Sequence, residues 1–276
     1  MEIELHQIDA FTDRVFAGNP AAVCPLDSWP EDDVLAAIAA ENNLSETAFL
    51  VPETGGDVDF HLRWFTPTVE VDLCGHATLA SGHYLLTGPC ADRAAVTFRT
   101  RSGVLSVTRD ADRLAMDFPA YAVVEVAPPA GLAAALGVPP TAVFQAPVEA
   151  ENGRYIALFE DAETVRALTP DLAALRQIGP ISVCVTAAGA GEVDFVSRYF
   201  APNHGVDEDP VTGSNHSLLA PFWGARLGKA SLNARQVSAR GGALTCRLAG
   251  ERVIIGGQAV TYLRGTITIK GSARVS

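Results

Sequence analysis

The stretch VDFHLRWFTP at positions 58–67 returns as VDFVSRYFAP at 193–202, an offset of about 135 residues. Both copies read VDF, two residues, Arg, an aromatic residue, Phe, one residue, Pro. The correspondence then continues in order. Gly75 in CGHATLA matches Gly213 in TGSNHSL, and Arg101, Gly103, Leu105 and Arg113 match Arg240, Gly242, Leu244 and Arg252. An ordered series running through more than 50 residues of each half predicts two similar domains in tandem. The expected division is 1–122 and 123–276, with the last strand, at about 259–270, able to pack on the N-terminal domain.

Each half carries the same coarse grammar. Val58–Phe65 alternates in polarity as a two-faced strand does. Gly75–Leu86 predicts a helix closed by Gly88-Pro89. Three short strands follow, at 95–99, 104–109 and 114–118, parted by turn residues. The second half predicts a strand over 193–200, a helix from Ser214 to about Leu227, and strands over 235–239, 243–248 and 252–255. A further helix is expected over Pro30–Asn42, with acidic residues in its first turn. The stretch 119–129, with three prolines, is expected to link the halves. The fold class this implies is α+β, a barrel-like β-sheet wrapped around a central helix in each of two similar tandem domains.

Composition bounds the function. Of 276 residues 48% are hydrophobic and 19% charged, which excludes a disordered chain. The net charge of −12 gives no electrostatic help toward nucleic acid or an anionic membrane face, so neither is expected as a partner. No apolar run reaches a membrane-spanning length of about 18 residues, and MEIELHQIDAF lacks the basic start and apolar stretch of a signal peptide. Five scattered cysteines without a CxxC predict a reduced, cytoplasmic protein.

Chemistry is expected where the two halves diverge. Counting back equally from Val58 and Val193 sets Glu46 opposite Ile181. A carboxylate beside the apolar run AFLV predicts a raised pKa if it is buried and unpaired, which suits proton shuttling near neutrality. The plainer alternative is an exposed strand end or a helix cap after Asn43. Gly75 and Gly213 each precede the apolar helix of their half, where free N–H groups and the helix dipole favour an anion. They could equally be turn residues, with Ser214 an N-cap. At a helix start His76 is expected to be neutral and able to pass a proton. Asp209 could orient His76, act as a second acid, or close an Asx turn. Glu70, Asp72, Asp207 and Glu208 look like solvated charges. Asp72, Cys74 and His76 fit a zinc site poorly, so no metal is expected. Thr212 stands where a second thiol would be needed, which argues against a two-thiol racemase but leaves a Cys74-based racemase or dehydratase open. The chain has no GxGxxG, Walker, GxSxG or HExxH motif.

The segments HQIDAFTDRVFAGNPAAV (6–23), NNLSETAFL (42–50), RWFTP with DLCGHATLA (63–80) and RYFAP with EDPVTGSNHSLLA (198–220) resemble the phenazine-biosynthesis PhzF-like family, of the diaminopimelate-epimerase-like fold superfamily. The resemblance spans nearly the whole chain. It implies an active site in a cleft between two similar domains and a cofactor-free isomerase, usually a homodimer. It implies catalytic roles for Glu46, His76 and Asp209, and substrate binding by Gly75, Gly213 and Ser214. One departure is Asn215, where the family more often has Ala. The expected activity is a proton shift within a small carboxylate-bearing metabolite. The competing readings are Cys74 chemistry, or a catalytically silent small-anion binding protein.

Overall fold

The computed structural model describes residues 1–150 and 153–270. The chain divides into two compact units. One is Met1–Asp117 with the described part of Gly256–Ser276, and the other is Phe118–Ile255.

The first unit contains β1 (Glu2–Ala10), β2 (Asn19–Pro25), α1 (Asp32–Asn42), β3 (Glu46–Pro52), β4 (Phe60–Phe65), β5 (Glu70–Val71), α2 (Gly75–Thr87), β6 (Ala95–Thr100), β7 (Gly103–Asp110) and β8 (Arg113–Pro119). The second contains β9 (Val124–Val126), α3 (Leu132–Leu136), β10 (Ala142–Gln145), β11 (Arg154–Leu158), α4 (Ala162–Ala167), α5 (Leu172–Ile178), β12 (Ser182–Ala188), β13 (Phe195–Ala201), β14 (Val206–Asp209), α6 (His216–Leu227), β15 (Ser231–Gln236), β16 (Gly242–Ala249) and β17 (Arg252–Gly257). The last strand, β18 (Ala259–Thr268), pairs antiparallel with β1, Glu2 opposite Thr268.

The pairing orders repeat. In the first unit the strands run β18-β1-β2-β3-β4-β6-β7-β8, with β2/β3 and β4/β6 parallel. In the second they run β9-β10-β11-β12-β13-β15-β16, with β11/β12 and β13/β15 parallel. Thus β18 holds in the first unit the place that β9 holds in the second. The proline-bearing stretch expected to be a plain linker therefore contributes a strand.

The repeated motif explains itself in these contacts. The Asp59 carboxylate accepts the Thr97 N–H at 2.8 Å, and the Asp194 carboxylate accepts the Asn233 N–H at 2.7 Å. Each Asp thereby ties its strand to the parallel neighbour. Arg63 makes a two-pronged pair with Glu70, 2.8 Å for each bond, and Arg198 does the same with Glu208 at 2.7 and 2.9 Å. These geometries add direction to charge. Glu70 and Glu208 are therefore fixed partners of the motif, not the solvated charges expected. Asp72 does lie largely in solvent.

The sheet of the first unit curls around α2, which packs on β1, β2, β3, β6, β7 and β18. Enclosure on so many sides requires a helix with no polar face. Gly75 through Gly82 are all buried, and the hydroxyls of Thr78 and Ser81 return to helix carbonyls at Cys74 and Ala77. At Gly82 a Cβ would stand 2.4 Å from Val107, so the helix approaches β7 as closely as a missing side chain permits. The second helix starts later than the sequence predicts. Gly213–Asn215 form a 3-10 turn and the α-helix opens at His216.

Candidate active site

Three elements bring the first constellation together. The tight loop before β2 places Asn19 at its start. There Gly18 has φ +66° and an added Cβ would lie 2.2 Å from the Ala10 carbonyl oxygen, so no other residue fits. Parallel pairing sets Ala21 beside Glu46. Side chains two apart on a strand share a face, so Asn19 and Glu46 point the same way. Toward them comes the first turn of α2, with Cys74 just before it and His76 inside it.

His76 sits between its neighbours. Nε2 lies 3.0 Å from Oε2 of Glu46, a close ionic contact that is off the hydrogen-bond direction. On the other side Nδ1 is 3.2 Å from the Asn19 amide nitrogen and 3.5 Å from Cys74 Sγ. In the neutral imidazole Nδ1 accepts from the Asn19 N–H and the proton sits on Nε2, facing the carboxylate; in the charged ring Nδ1–H donates instead, with the Asn19 amide turned to present its oxygen. The Glu46 side chain is 16% exposed, and His76 and Cys74 are buried. The carboxylate is therefore neither unpaired nor in bulk solvent.

The electrostatics depart from the expectation for His76. Burial works against a charged imidazole, yet Cys74 and the Glu46 carboxylate beside it hold its pKa well above the ordinary value. A neutral histidine dictated by the helix dipole is thus corrected by a direct anionic neighbour, whose attraction at 3.0 Å outweighs half a helix charge. The Cys74 thiol is pushed up, first by burial and then by Glu46.

Donor atoms of Glu46, Cys74 and His76 lie within 4.8 Å of one another, the one such trio among the described residues. Asp72, considered as a ligand, is not in it. The imidazole turns Nε2 to the carboxylate and Nδ1 to the sulfur. A single ion at bonding distances of about 2.0–2.3 Å cannot be met by both faces of one ring.

The second constellation belongs to the other unit. Asp209 ends β14 and its carboxylate accepts the Thr212 hydroxyl. Gln236, buried at the end of β15, braces the same loop: its Oε1 accepts the Thr212 N–H at 2.9 Å and its Nε2 donates to the Asp209 carbonyl at 2.7 Å. Ser214 lies half-buried in the 3-10 turn after Gly213. His216 donates from Nδ1 to the Thr212 carbonyl at 3.0 Å, and burial pushes its pKa down to about 4.

Glu46, His76, Cys74 and Gly75 are thus one cluster, and Asp209, Gly213 and Ser214 are another, each within its own unit. The sequence reading gave no role to Asn19 or Gln236. Asn19 lay in plain view in AGNPAAV, but its contact spans 57 residues of chain. Gln236 lay in a stretch whose strand was expected over 235–239 and is found over Ser231–Gln236.

No helix of the described residues is long and apolar enough to cross a membrane. A family model described as phenazine biosynthesis-like protein, PhzC-PhzF, matches residues 8–265. An uncharacterized isomerase of Pseudomonas aeruginosa is 52% identical over 97% of this chain and 99% of its own. The crystal structure of a PhzF-family phenazine biosynthesis protein from Enterococcus faecalis aligns with a TM-score of 0.91 at 42% identity, covering 98% of this chain and 100% of that one. A hydroxyproline epimerase of Agrobacterium vitis aligns at 14% identity with a TM-score of 0.61, over 98% of this chain and 94% of its own, and shares the fold alone. The α+β architecture is accordingly of the diaminopimelate-epimerase-like class.

Proposed function

Since the chain belongs to the phenazine biosynthesis-like PhzC-PhzF family and is an isomerase of that type, we propose that Glu46 is its general acid and base, moving a proton within a small carboxylate-bearing metabolite without a cofactor. The observation that carries this reading is the Glu46–His76 pair at 3.0 Å, with the carboxylate 16% exposed. A base must reach substrate and yet be shielded from water, and this exposure suits both.

In the first step the Glu46 carboxylate takes a proton from an acidified C–H. The electron pair left on carbon moves onto the adjoining unsaturated group as an enolate. Glu46, now a carboxylic acid, returns the proton to another carbon of the same molecule, and the electron pair closes the new C–H bond. The charged His76 beside it stabilises the carboxylate at rest and a developing anion in flight. We assign proton delivery or orientation to Asp209, and binding of substrate carboxylate or enolate charge to Ser214 and the N–H groups of the Gly75 and Gly213 turns.

A Cys74-based racemase or dehydratase draws on the 3.5 Å contact between Sγ and Nδ1. The raised thiol pKa speaks against it, because the thiolate is the reactive form. Metabolite extracts incubated in D₂O test the choice by mass spectrometry. Labelled product lost in Glu46→Gln and kept in Cys74→Ala supports the glutamate; the reverse pattern supports the thiol. Tight binding with no label in any ligand would mean a silent anion-binding protein. Homodimer formation and a cytoplasmic setting are part of the same proposal, and size-exclusion chromatography with light scattering checks the first.

A further inference from the structure

The first unit has a second concave site. A cavity of about 640 Å³ lies among the start of β1, the loop 26–30 after β2, the end of β3, the start of β4 and the last turn of α2. Small-molecule sites span roughly 300–1,000 Å³, so the size fits one. This cavity is not the catalytic cluster. Asn19 and Glu46 begin β2 and β3, whereas Pro25, Leu50 and Pro52 reach the cavity from the far ends of those strands. Likewise His76 is in the first turn of α2 and Leu85 in its last, nine residues on, or roughly 13 Å along the axis. The proton shuttle makes no use of this end of the unit.

The walls have a definite chemistry. Leu26, Leu50 and Leu85 are buried and present apolar surface. Trp29, Phe60 and Tyr84 add three half-buried aromatic rings. The charged side chains on the wall are Glu2, Glu4 and Asp27, all exposed carboxylates, and no Lys or Arg joins them. The cations close by are already committed. The Met1 ammonium donates to the Ile269 carbonyl at 2.8 Å, and Arg63, 5.2 Å from the centroid of the Trp29 ring, pairs with Glu70 and Asp32. His6 donates from Nε2 to one oxygen of Glu4 at 2.6 Å, while Glu2 and Asp27 have no ion-pair partner among the described residues. The field of Glu4 reaches into the cavity: the Tyr84 pKa is raised first by burial and then by that carboxylate.

Aromatic faces attract a cation through their quadrupole, carboxylates of one sign repel an anion, and apolar walls hold a hydrocarbon body. The three occur here in one cavity. We propose that this cavity is a binding site for a small organic cation, an ammonium group carried on an apolar body, separate from the catalytic site. The body packs on Leu26, Leu50 and Leu85, and the ammonium sits among the rings and the carboxylates of Glu4 and Asp27. The site stands independently of the proton-shift reading, since none of its residues belongs to either catalytic constellation.

The test uses phenethylamine, phenethyl alcohol and hydrocinnamate, one skeleton as cation, neutral molecule and anion, titrated into the full chain by calorimetry. The wild type should bind the amine about tenfold more tightly than the alcohol, and the acid more weakly than either. Glu4→Gln combined with Asp27→Asn keeps the shape of the wall, and should bring the amine to within about twofold of an unchanged alcohol. Trp29→Leu should weaken the amine more than the alcohol, and serves if the double variant does not fold. It also reports location. Trp64 and Trp223 are buried, so an amine-induced change in tryptophan fluorescence should be present in wild type and absent in Trp29→Leu. Glu46→Gln should bind the amine as wild type does; a loss there would put the amine on the catalytic carboxylate and overturn the inference. No amine binding, equal affinity for amine and alcohol, or an amine preference kept in the double variant each overturn it too. So does amine binding that weakens as protein concentration rises, which would mean that a second copy of the chain fills the cavity.

Discussion

Glu46 and Ser182 occupy the same place in two copies of one sheet, the first residue of a seven-residue strand that pairs in parallel on one side and antiparallel on the other. The duplication kept the scaffold and changed the charge. Counting from the VDF motif misses this pairing by one residue and lands on Ile181. The loop between the paired strands is 53–59 in the first unit and 189–194 in the second, one residue shorter. The contrast is therefore carboxylate against hydroxyl, and the hydroxyl sits beside Arg154.

Replacing Glu46 by Gln keeps its shape and removes its charge. The imidazole then loses a neighbour that holds it protonated, and burial acts with less opposition. The expected result is a downward shift of the His76 pKa, readable by NMR titration of its ring nitrogens, together with at least a hundredfold loss of deuterium exchange. An unchanged titration in Glu46→Gln would show that the 3.0 Å pair does not set the charge on His76.

Asn19 holds the far side of the same ring. Asn19→Ala leaves Nδ1 buried without its amide partner, at a cost of about 1–3 kcal/mol for an unpaired polar group, and frees the imidazole to turn toward Cys74. Turnover should fall about 10- to 100-fold with KM nearly unchanged, because the lost effect is orientation and not binding. Steady-state kinetics give the split, and a change confined to KM would sink the assignment.

How much of this was legible in the letters follows from what each residue needs. The motif VDFxxR is local in its causes. Asp59 and Arg63 find partners on the adjoining strands, the pattern recurs at Asp194 and Arg198, and the two-unit grammar follows from it. Glu46 and His76 stand out as a charge beside an apolar run and an imidazole at a glycine-led helix start. Asn19 does not, because nothing near it in sequence needs an amide. Gln236 is hidden in another way. It takes an inward position in a strand whose exposure alternates, where Leu232 and Ala234 set the pattern and a polar residue breaks it. The one-residue slip at Ile181 has the same root, since pairing register depends on loop length as well as on strand pattern.

Gln236→Leu tests the brace under the Asp209 loop. The substitution keeps bulk but leaves the buried Thr212 N–H without its acceptor and the Asp209 carbonyl without its donor. A stability loss of about 1–3 kcal/mol is expected, or several degrees in Tm at roughly 2–4 °C per kcal/mol for a chain of this size. Gln236→Glu restores an acceptor for Thr212 but not the donor, and should recover part of the loss in a denaturant melt. Equal stability in all three proteins would show that the loop holds itself.

His216 makes the protein sensitive to acid in a stated window. Its pKa is about 4 in the fold, held down by burial, against about 6.5 in an unfolded chain. Above 6.5 the group is neutral in both states and contributes no pH dependence. Between 6.5 and 4 the unfolded chain binds a proton that the folded chain refuses, so stability declines as pH falls. Below 4 both forms are protonated and the decline ends. A difference of about 2.5 pKa units corresponds to roughly 3 kcal/mol across the window. His76, with a raised pKa, acts in the opposite sense: its contribution is full below the unfolded value and is lost as pH rises through the folded one. His216→Asn retains a donor for the Thr212 carbonyl at the Nδ1 position and has nothing to titrate. Urea denaturation at pH 7.5 and pH 4.5 should therefore show a smaller acid loss in His216→Asn than in wild type, by about 2–3 kcal/mol. Parallel losses in the two proteins would mean that acid acts through other groups and that His216 is protonated without harm.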